Sequence, residues 1–561
     1  MHDLVIRNAR ICDGSGAPTY KGNVATSGGR IVEVGQVTAG GKKEFDAKGL
    51  VLAPGIIDPH THFDAQITWD PTAQPSVGLG VTTVVMGNCG FTIVPCREKD
   101  RDLILRNLTQ VEGMSLDALR QGTRWEFETL ADYLGFLERR GVVPNIAVYS
   151  GHSAIRTYVM GADAARRAAT PDEIERMKTV LRADMAAGAI GFSTSRHEGH
   201  NGDGGIPMPS RLAEWDELLE LVSVLREARH GHSMMIKSGK DTIDRIEEWA
   251  TVSGRPVFIS ALVHDPANPQ RVFREMSQIA AAQDRGRRLY GMVHSLPISM
   301  DFTLTSAYPF ELLASWNPAI PLYKDKAAVK RLYRDPTFRA TVRKELDEGA
   351  MEREYSIDWS QMFVIKAAEA RHRGHEGKTV AELAAAAGAD PFEWFLDFGV
   401  EEDCETQFLV HVLNAEEKSV AKLLKDPYGA IALSDAGAHL TLLCDAGFAL
   451  QVLSRWVREL RVFTLEEAIR KLTATPAAMF GIKERGLIAP GYWADLFLFD
   501  PKTVGVGGKR RVSDLPGGGA RLTVDPMGVH GVWINGTHVV DERGYLGQVP
   551  NAGHVLREFA A

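Results

Sequence analysis

The sequence predicts an α/β protein built on a barrel, with a smaller β domain formed by both ends of the chain. Through the middle, short apolar runs alternate with amphipathic helical stretches such as PDEIERMKTVLRADMAAG. Near both ends, apolar and polar residues alternate with a period close to two, which is typical of antiparallel strands. We therefore expect a TIM-like (β/α)8 barrel inserted into a small β-sandwich formed from both termini.

Eight β-like runs supply the strands of this barrel. They read VLAPGIIDPHTH, GVTTVVMGNCG, NIAVYSGH, GAIGFSTS, SMMIKSG, PVFISALVH, RLYGMVHSL and AIALSDAGAH. In such a barrel the functional residues lie at the carboxyl ends of the strands. Polar residues that close these runs are therefore the candidates for function.

The expected domain boundaries follow from the change in pattern along the chain. We expect the β-sandwich to comprise residues 1–52 and 485–561, with the barrel at residues 53–484 between them. A charged and aromatic stretch near residues 320–375 matches no strand. We expect this stretch to be an insertion beside the barrel mouth.

The composition is typical of a globular enzyme and argues against several other classes. Of 561 residues, 44% are hydrophobic and 24% are charged, and the formal net charge is -8. A general nucleic-acid binder needs a basic face, so we expect none here. Five cysteines are too sparse and odd in number for a disulfide framework. The start lacks signal-peptide features and no apolar run reaches about 18 residues, so we expect a cytoplasmic protein with no membrane partner.

Two histidines follow the first strand candidate and are candidate metal ligands. His60 and His62 are two residues apart after LVLAPGIID. Residues two apart in a strand point to the same face, so both imidazoles can reach one ion. An H-x-H pair also occurs by chance, but the turn signal at Pro54 and Gly55 supports a strand end here.

Cys89 and Asp435 each close another strand candidate. A thiolate is a good zinc ligand, although a buried structural cysteine is the usual alternative. Gly87 and Gly90 on either side of Cys89 favour a functional turn. Asp435 in LSDAGAH can bind metal and accept a proton, or it can cap the next helix. His439 then orients a neighbour or contacts the substrate.

Further polar residues end the remaining strand candidates. Any one of these residues could instead make an ordinary hydrogen bond within the protein or cap a helix, and an arginine could simply lie on the exposed surface. Together they indicate a polar mouth on an apolar barrel, the usual form of a small-molecule site. They are His152, Arg156, Ser193, Thr194, Ser195, Arg196, Lys237, His264 and His294.

At these motifs the chain resembles the amidohydrolase superfamily, and within it the N-acyl-D-amino-acid deacylase (D-aminoacylase) group. The matching text is APGIIDPHTHFD, GVTTVVMGNCG, GHSAIRTYVMG, GAIGFSTS, LSDAGAH and ERGLIAPGYWADLFLFD, within about residues 3–545. The resemblance implies a TIM-like barrel with a terminal β-sandwich, bound zinc and hydrolysis of an amide. It also implies that His60 and His62 are the first-strand ligands and that Cys89 is the second-strand ligand. Asp435 matches the last-strand aspartate, which binds metal and acts as general base.

The chain departs from that family pattern at two strand ends. The deacylases carry histidine ligands after strands five and six, in text such as THMR and SHH, where this chain reads SMMIKSG and FISALVHDP. His264 lies a few residues beyond the position of the family's histidine. Lys237 is an amine rather than an imidazole, and it could be carboxylated. We therefore expect one zinc ion, held by the two first-strand histidines and Asp435, with Cys89 near or bound.

The implied reaction needs a base, a donor for the oxyanion and contacts for the substrate. Asp435 would take a proton from the attacking water and pass it to the leaving nitrogen. We expect His152 or Lys237 to stabilise the charge of the tetrahedral intermediate. The carboxylate of an N-acyl amino acid would need a cation, from Arg156, Arg196 or Lys237. The expected substrate contacts are Arg156, Ser193, Ser195, Arg196 and His439.

Three alternatives remain open on sequence grounds. One is a hydantoinase-like hydrolase of cyclic amides, which usually uses a bridging carboxylated lysine. Another is a metal-poor binding relative without catalysis, because two ligand positions are replaced. The third is a covalent Cys89 nucleophile, which would need His60 or His62 as a base in the absence of metal. The resemblance is also compatible with a homo-oligomer.

Overall fold

The computed structural model describes residues 1–311, 313–348, 357–441, 443–547 and 551–561, apart from the side chains of residues 110–112. The chain divides into two compact units. The first unit comprises Met1–Leu262, Glu275–Ser295 and Leu423–Ala561, and the second comprises Val263–Arg274 and Leu296–Lys422.

The elements are labelled in chain order. The strands are β1 (His2–Ile11), β2 (Tyr20–Ser27), β3 (Arg30–Gly35), β4 (Gly41–Asp46), β5 (Val51–Pro54), β6 (Ile56–Asp58), β7 (Val81–Met86), β8 (Asn145–Gly151), β9 (Gly191–Ser195), β10 (His232–Ile236), β11 (Val257–Ser260), β12 (Leu289–Val293), β13 (Ile298–Phe302), β14 (Met362–Lys366), β15 (Gln407–Leu413), β16 (Gly429–Ile431), β17 (Leu496–Phe499), β18 (Gly505–Val506), β19 (Arg510–Leu515), β20 (Gly519–Thr523), β21 (Pro526–Met527), β22 (Val529–Ile534), β23 (Thr537–Asp541) and β24 (Gly544–Tyr545).

The α-helices follow the same labelling, and a π-helical segment at Val452–Glu459 continues α14. They are α1 (Arg101–Glu112), α2 (Leu116–Gly122), α3 (Leu130–Arg140), α4 (His152–Met160), α5 (Pro171–Ala187), α6 (Trp215–Ser223), α7 (Ile243–Ser253), α8 (Arg271–Asp284), α9 (Lys326–Tyr333), α10 (Pro336–Asp347), α11 (Val380–Ala387), α12 (Pro391–Glu401), α13 (Glu417–Lys425), α14 (Phe448–Gln451), α15 (Leu465–Leu472) and α16 (Ala474–Met479). In the described part of the chain, no helix has both the length and the apolar character needed to cross a bilayer.

The first unit contains the predicted barrel. Among the described residues, eight parallel strands form one sheet in the order β16-β12-β11-β10-β9-β8-β7-β6. Just beyond the ends of this sheet, Thr61 pairs with Ala436 in a parallel bridge, and the His62 N–H donates to the Ala436 carbonyl at 2.7 Å. The first and last strands therefore meet, and the predicted TIM-like barrel is confirmed, with each of the eight strand candidates in it.

Local sequence signals explain where the barrel helices begin and end. In α5, Thr170 caps the helix by accepting the Glu173 N–H, while the Glu173 carboxylate accepts the Thr170 N–H. This reciprocal capping satisfies amide groups that the first turn leaves without partners. Pro171 occupies the first helical position, and Gly188 ends the helix with a left-handed φ of 110°.

Both chain ends contribute to a separate sheet domain, as the sequence pattern predicted. The strands of this sheet follow the path β24-β23-β22-β17-β5-β1-β2-β3, with β4 paired to β1. The C-terminal strand β17 pairs antiparallel with the N-terminal strand β5. Ile6, Ile11, Leu496 and Trp533 pack in one core of this domain, so residues from both termini bury one another.

The second unit has its own sheet and core. Its strands form an antiparallel sheet in the order β13-β15-β14. Large aromatic side chains, including Phe310, Trp316, Phe395 and Phe408, pack in its core together with residues of α9 to α12. The stretch near 320–375 that was expected to be an insertion falls within this unit, and its residues 349–356 lie outside the described residues.

Candidate metal centre

Four polar side chains from three strand ends meet at the carboxyl end of the barrel. His60 and His62 follow β6, Cys89 follows β7 and Asp435 follows β16. The Cys89 Sγ lies 3.4 Å from His60 Nε2 and 3.8 Å from His62 Nε2. The Asp435 Oδ1 lies 3.1 Å from His60 Nε2 and 3.7 Å from His62 Nε2. The parallel strands thus bring together His60 and Asp435, which are 375 positions apart in the sequence.

Buried contacts hold His60 in this position. Its N–H donates to Asp58 Oδ1 at 3.3 Å, and its carbonyl accepts the Ser434 hydroxyl at 3.1 Å. The His60 Nδ1 lies 3.4 Å from the Met292 sulfur. Since Nδ1 faces that thioether, Nε2 is the ring atom directed at Cys89 and Asp435.

A strained turn presents the thiol of Cys89. Gly87, Cys89 and Gly90 all have left-handed backbone conformations, with φ of 78°, 59° and 77°. The Gly87 N–H donates to Asp64 Oδ2 at 3.0 Å. The Ser193 hydroxyl accepts the Gly90 N–H at 3.0 Å and donates to the Gly87 carbonyl. Left-handed backbone is costly for a residue with a Cβ and persists where surrounding contacts enforce it. Ser193, predicted to contact substrate, therefore supports this turn.

The Asp435 side chain is ionised beside the two histidines. Burial raises the pKa of Asp435, but the neighbouring imidazoles of His60 and His62 outweigh it, and the pKa falls well below its usual value. Burial lowers the pKa of His62 to about 4. At neutral pH the site therefore presents a carboxylate and a neutral imidazole at His62, which are the protonation states that bind metal.

The spacing and chemistry of these atoms fit one metal ion. Ligand bonds of about 2.0–2.3 Å in a tetrahedron place the ligand atoms about 3.3–3.8 Å apart, and the four distances above span 3.1–3.8 Å. The ligand atoms of His60, His62 and Cys89 all lie within 4.8 Å of one another. The Asp435 Oδ1 lies within that distance of both histidine nitrogens. Imidazole, thiolate and carboxylate donors together favour zinc.

His152 and Arg156 lie in a buried ion-pair network. The His152 Nδ1 is 2.8 Å from the Thr194 hydroxyl, and its Nε2 is 2.9 Å from Glu217 Oε1. The Arg156 guanidinium binds both oxygens of the same Glu217 carboxylate, and all three side chains are buried. Both ring nitrogens of His152 and the two terminal nitrogens of Arg156 therefore have partners within the protein. The oxyanion role of His152 and the substrate contact of Arg156 stay predictions.

The other two predicted cations are also paired. The Arg196 Nε donates to Asp241 Oδ2 at 3.0 Å, and the Lys237 ammonium lies 2.8 Å from Glu275 Oε1. These carboxylate partners neutralise the charges that were expected to bind a substrate carboxylate. Their roles in substrate binding and oxyanion stabilisation stay predictions.

Ser195 contacts His200, and His439 affects the pKa of both His62 and His200. The Ser195 hydroxyl is 2.6 Å from the Nδ1 of His200. Burial lowers the pKa of both His62 and His200, and the charge of His439 lowers both further. His439 is half-buried and has a left-handed φ of 53°. These effects indicate that His439 lies near both imidazoles, where a substrate contact remains a prediction.

His264 and His294 have partners of their own. His264 belongs to the second unit, where its Nε2 is 3.5 Å from Glu416 Oε2. The His294 Nδ1 is 3.1 Å from the Ala432 carbonyl oxygen, and its Nε2 is 3.2 Å from Asp445 Oδ2. The His294 interactions fix the carboxyl end of the strand that leads to Asp435.

Sequence reasoning missed Glu217 and His200. Glu217 is an acid on the buried face of α6, in the stretch EWDELLELV, where an isolated charge among apolar residues indicates a buried partner. His200 is the second histidine of the segment SRHEGHN, and nothing in that segment marks it as a functional residue. Both residues became recognisable only through their contacts.

Comparison with known proteins identifies the family of this fold and site. The model of the amidohydrolase family matches residues 43–301 and 318–540. The N-acyl-D-aspartate deacylase of Alcaligenes xylosoxydans xylosoxydans is 28% identical, with 96% of this chain and 92% of that protein covered. The D-aminoacylase of the same organism is 28% identical, with coverage of 100% and 98%.

A solved structure shares the fold over the whole chain. It is the N-acyl-D-glutamate deacylase from Bordetella bronchiseptica, complexed with zinc and a phosphonate inhibitor that mimics the tetrahedral intermediate. It is 24% identical, has a TM-score of 0.66, and the comparison covers 99% of this chain and 100% of that one. The family match spans most of the barrel and the sheet domain, so this chain belongs to the amidohydrolase family.

Proposed function

We propose that this protein hydrolyses the amide bond of an N-acyl-D-amino acid, releasing a carboxylic acid and a D-amino acid. The observation that carries the proposal is the convergence of His60, His62, Cys89 and Asp435 at the mouth of the barrel. The activities named for the relatives support this substrate class. The proposal also includes a carboxylate on the substrate, a cytoplasmic location and a homo-oligomer.

One zinc ion is the proposed cofactor. His60, His62 and Asp435 would hold it, and Cys89 is close enough to complete a four-coordinate set. When bound, zinc supplies a Lewis acid that polarises the amide carbonyl and lowers the pKa of water. A second ion lacks support, because the Lys237 ammonium is paired with Glu275.

Asp435 is the proposed general base and acid. Its low pKa keeps the carboxylate ionised. The side chain of Asp435 is 28% exposed, so water can reach it. It would take a proton from the attacking water as the new C–O bond forms. It would then give that proton to the nitrogen as the C–N bond breaks, so the amine leaves neutral.

The test combines metal analysis, a substrate panel and matched variants. The protein is purified without chelator, its zinc is measured, and N-acetyl-D-amino acids, N-acetyl-L-amino acids and cyclic imides are compared. We expect about one zinc per chain and turnover of the D-compounds. Preference for the cyclic imides would favour a hydantoinase-like enzyme, and a zinc-free, inactive protein would favour a binding relative.

Two variants assign the roles within the cluster. Asp435→Asn should keep the fold and lower kcat by about 100- to 10,000-fold, because the base is lost. His60→Ala should lose bound zinc as well as activity. Asp117→Asn and His530→Ala, at solvent-exposed and partly exposed positions, are the matched controls and should behave as wild type. Full activity in Asp435→Asn would contradict the mechanism.

A further inference from the structure

The hydroxyl of Ser195 and the ring of His200 form a hydrogen-bonded pair beside the metal centre. Ser195 is the last residue of β9, and His200 lies in the loop that follows it. The Ser195 Oγ accepts the backbone N–H of His197 at 3.3 Å and lies 2.6 Å from His200 Nδ1. The loop itself is held by the His200 carbonyl, which accepts the Met208 N–H at 3.2 Å and an Arg211 N–H at 3.1 Å.

This hydrogen-bond pattern favours one tautomer of His200. The Ser195 Oγ already accepts the His197 N–H, and its own hydrogen has no acceptor within the described residues other than His200 Nδ1. A neutral imidazole that accepts at Nδ1 carries its hydrogen on Nε2. Burial lowers the pKa of His200 well below its usual value, which keeps the ring neutral. In this tautomer His200 presents an Nε2–H donor, and its Nε2 has no hydrogen-bond partner in the described part of the chain.

The ring lies one aromatic side chain away from a candidate ligand. The His200 ring packs edge-on against Phe91, with centroids 5.1 Å apart, and Phe91 lies 6.3 Å from the ring of His62. His197 packs against the same ring at 5.1 Å. His200 is thus two ring contacts away from the candidate ligand His62.

The predicted cations already have carboxylate partners within the protein. Arg156, Arg196 and Lys237 are each paired with a carboxylate of the protein. Breaking such a pair to bind substrate would leave a protein carboxylate without its partner, which is costly when that carboxylate is buried. A neutral N–H donor has no such competitor.

We propose that the His200 Nε2–H binds the carboxylate of the N-acyl amino acid, and that Ser195 is the positioning residue that fixes its tautomer. This inference rests on the proposed function and names the group that selects the substrate class. It also changes the predicted role of Ser195, from a direct substrate contact to an indirect one.

The test compares an acid with its uncharged analogue. The probes are the preferred N-acetyl-D-amino acid and its carboxamide, and kcat and KM are measured for each. We expect His200→Ala and Ser195→Ala to raise KM for the acid by about 10- to 100-fold, the range for a hydrogen bond to a charged group. KM for the carboxamide and the zinc content should change little.

Conservative variants separate positioning from general damage to the fold. His200→Gln retains an N–H donor near the position of Nε2, and Ser195→Thr retains the hydroxyl. Both should restore most of the preference for the acid over the carboxamide. Equal losses on both probes, or no recovery in these two variants, would overturn the inference.

A binding measurement keeps this test separate from the proposed reaction. Calorimetry of the N-acetyl-D-amino acid with the Asp435→Asn variant measures affinity without turnover. Adding His200→Ala to that variant should weaken binding about 10-fold or more. Turnover by wild type with unchanged affinity in the double variant refutes the role of His200 alone. A lack of both binding and turnover refutes the proposed function and this inference together.

Discussion

Replacing Glu217 by Gln tests whether His152 and Arg156 are structural. The Glu217 carboxylate accepts from Arg156 and faces His152 Nε2, and the exposed fractions of Glu217 and Arg156 are 1% and 0%. Gln keeps the size of the side chain but removes its negative charge. The Arg156 guanidinium would then remain a buried cation without a counter-charge, since its other described partners are two backbone carbonyls.

The magnitude follows from this burial. Removing one partner of a buried ion pair costs about 3–5 kcal/mol, because the remaining charge stays desolvated. Glu220 on the same helix is the matched control, since its side chain is 54% exposed and pairs with Lys178. Exposed pairs contribute about 0–1 kcal/mol, so Glu220→Gln should have a small effect.

The assay is urea denaturation of both variants, followed by tryptophan fluorescence, together with zinc analysis. We expect Glu217→Gln to lower the free energy of unfolding by about 3–5 kcal/mol while the folded protein keeps its zinc. A stable Glu217→Gln variant with strongly reduced kcat would refute this reasoning. That result would restore His152 and Arg156 as residues that act on substrate.

Two other predictions concern the thiol and a buried carboxyl. Cys89→Ser should weaken zinc binding by about 10-fold or more in a chelator competition, since a hydroxyl is a poorer ligand than a thiolate; unchanged affinity would make Cys89 a structural cysteine. Burial raises the pKa of Asp184 to about 7, against the opposing hydrogen bond from Ser150. Because the folded-state pKa is raised, the stability contributed by protonated Asp184 is full below about pH 4 and is lost as the pH rises to about 7. Relative to wild type, Asp184→Asn should therefore be more stable at pH 8 than at pH 5, and equal differences in denaturation midpoint at the two pH values would contradict this.

The barrel could be predicted from the sequence because its signals are local. Each strand is a short apolar run, and each helix such as α5 carries its own caps and apolar face. The placement of His60, His62, Cys89 and Asp435 could also be predicted from the local sequence. All parallel strands of a barrel end at one face, so residues that close different strands are brought together without further information.

The partners of the charged side chains could not be predicted in this way. Arg156 meets Glu217 across 61 positions, and Arg196 meets Asp241 across 45. Such pairs depend on which helix face packs against which strand end. A sequence pattern shows that a residue is polar and where it lies on its element, but not whether another element supplies its counter-charge.

The fold class, the succession of barrel strands and the residue types at the candidate metal centre follow from local sequence, because periodicity and strand ends are properties of neighbouring residues. Which polar groups are available to a substrate depends on how the elements pack together. The tertiary structure paired the predicted cations with buried or partly buried carboxylates, and it used Ser193 to support the turn at Cys89. It also placed the Ser195 hydroxyl 2.6 Å from one ring nitrogen of His200. These outcomes depend on side chains from distant elements competing for the same partners, which is settled only when the elements pack.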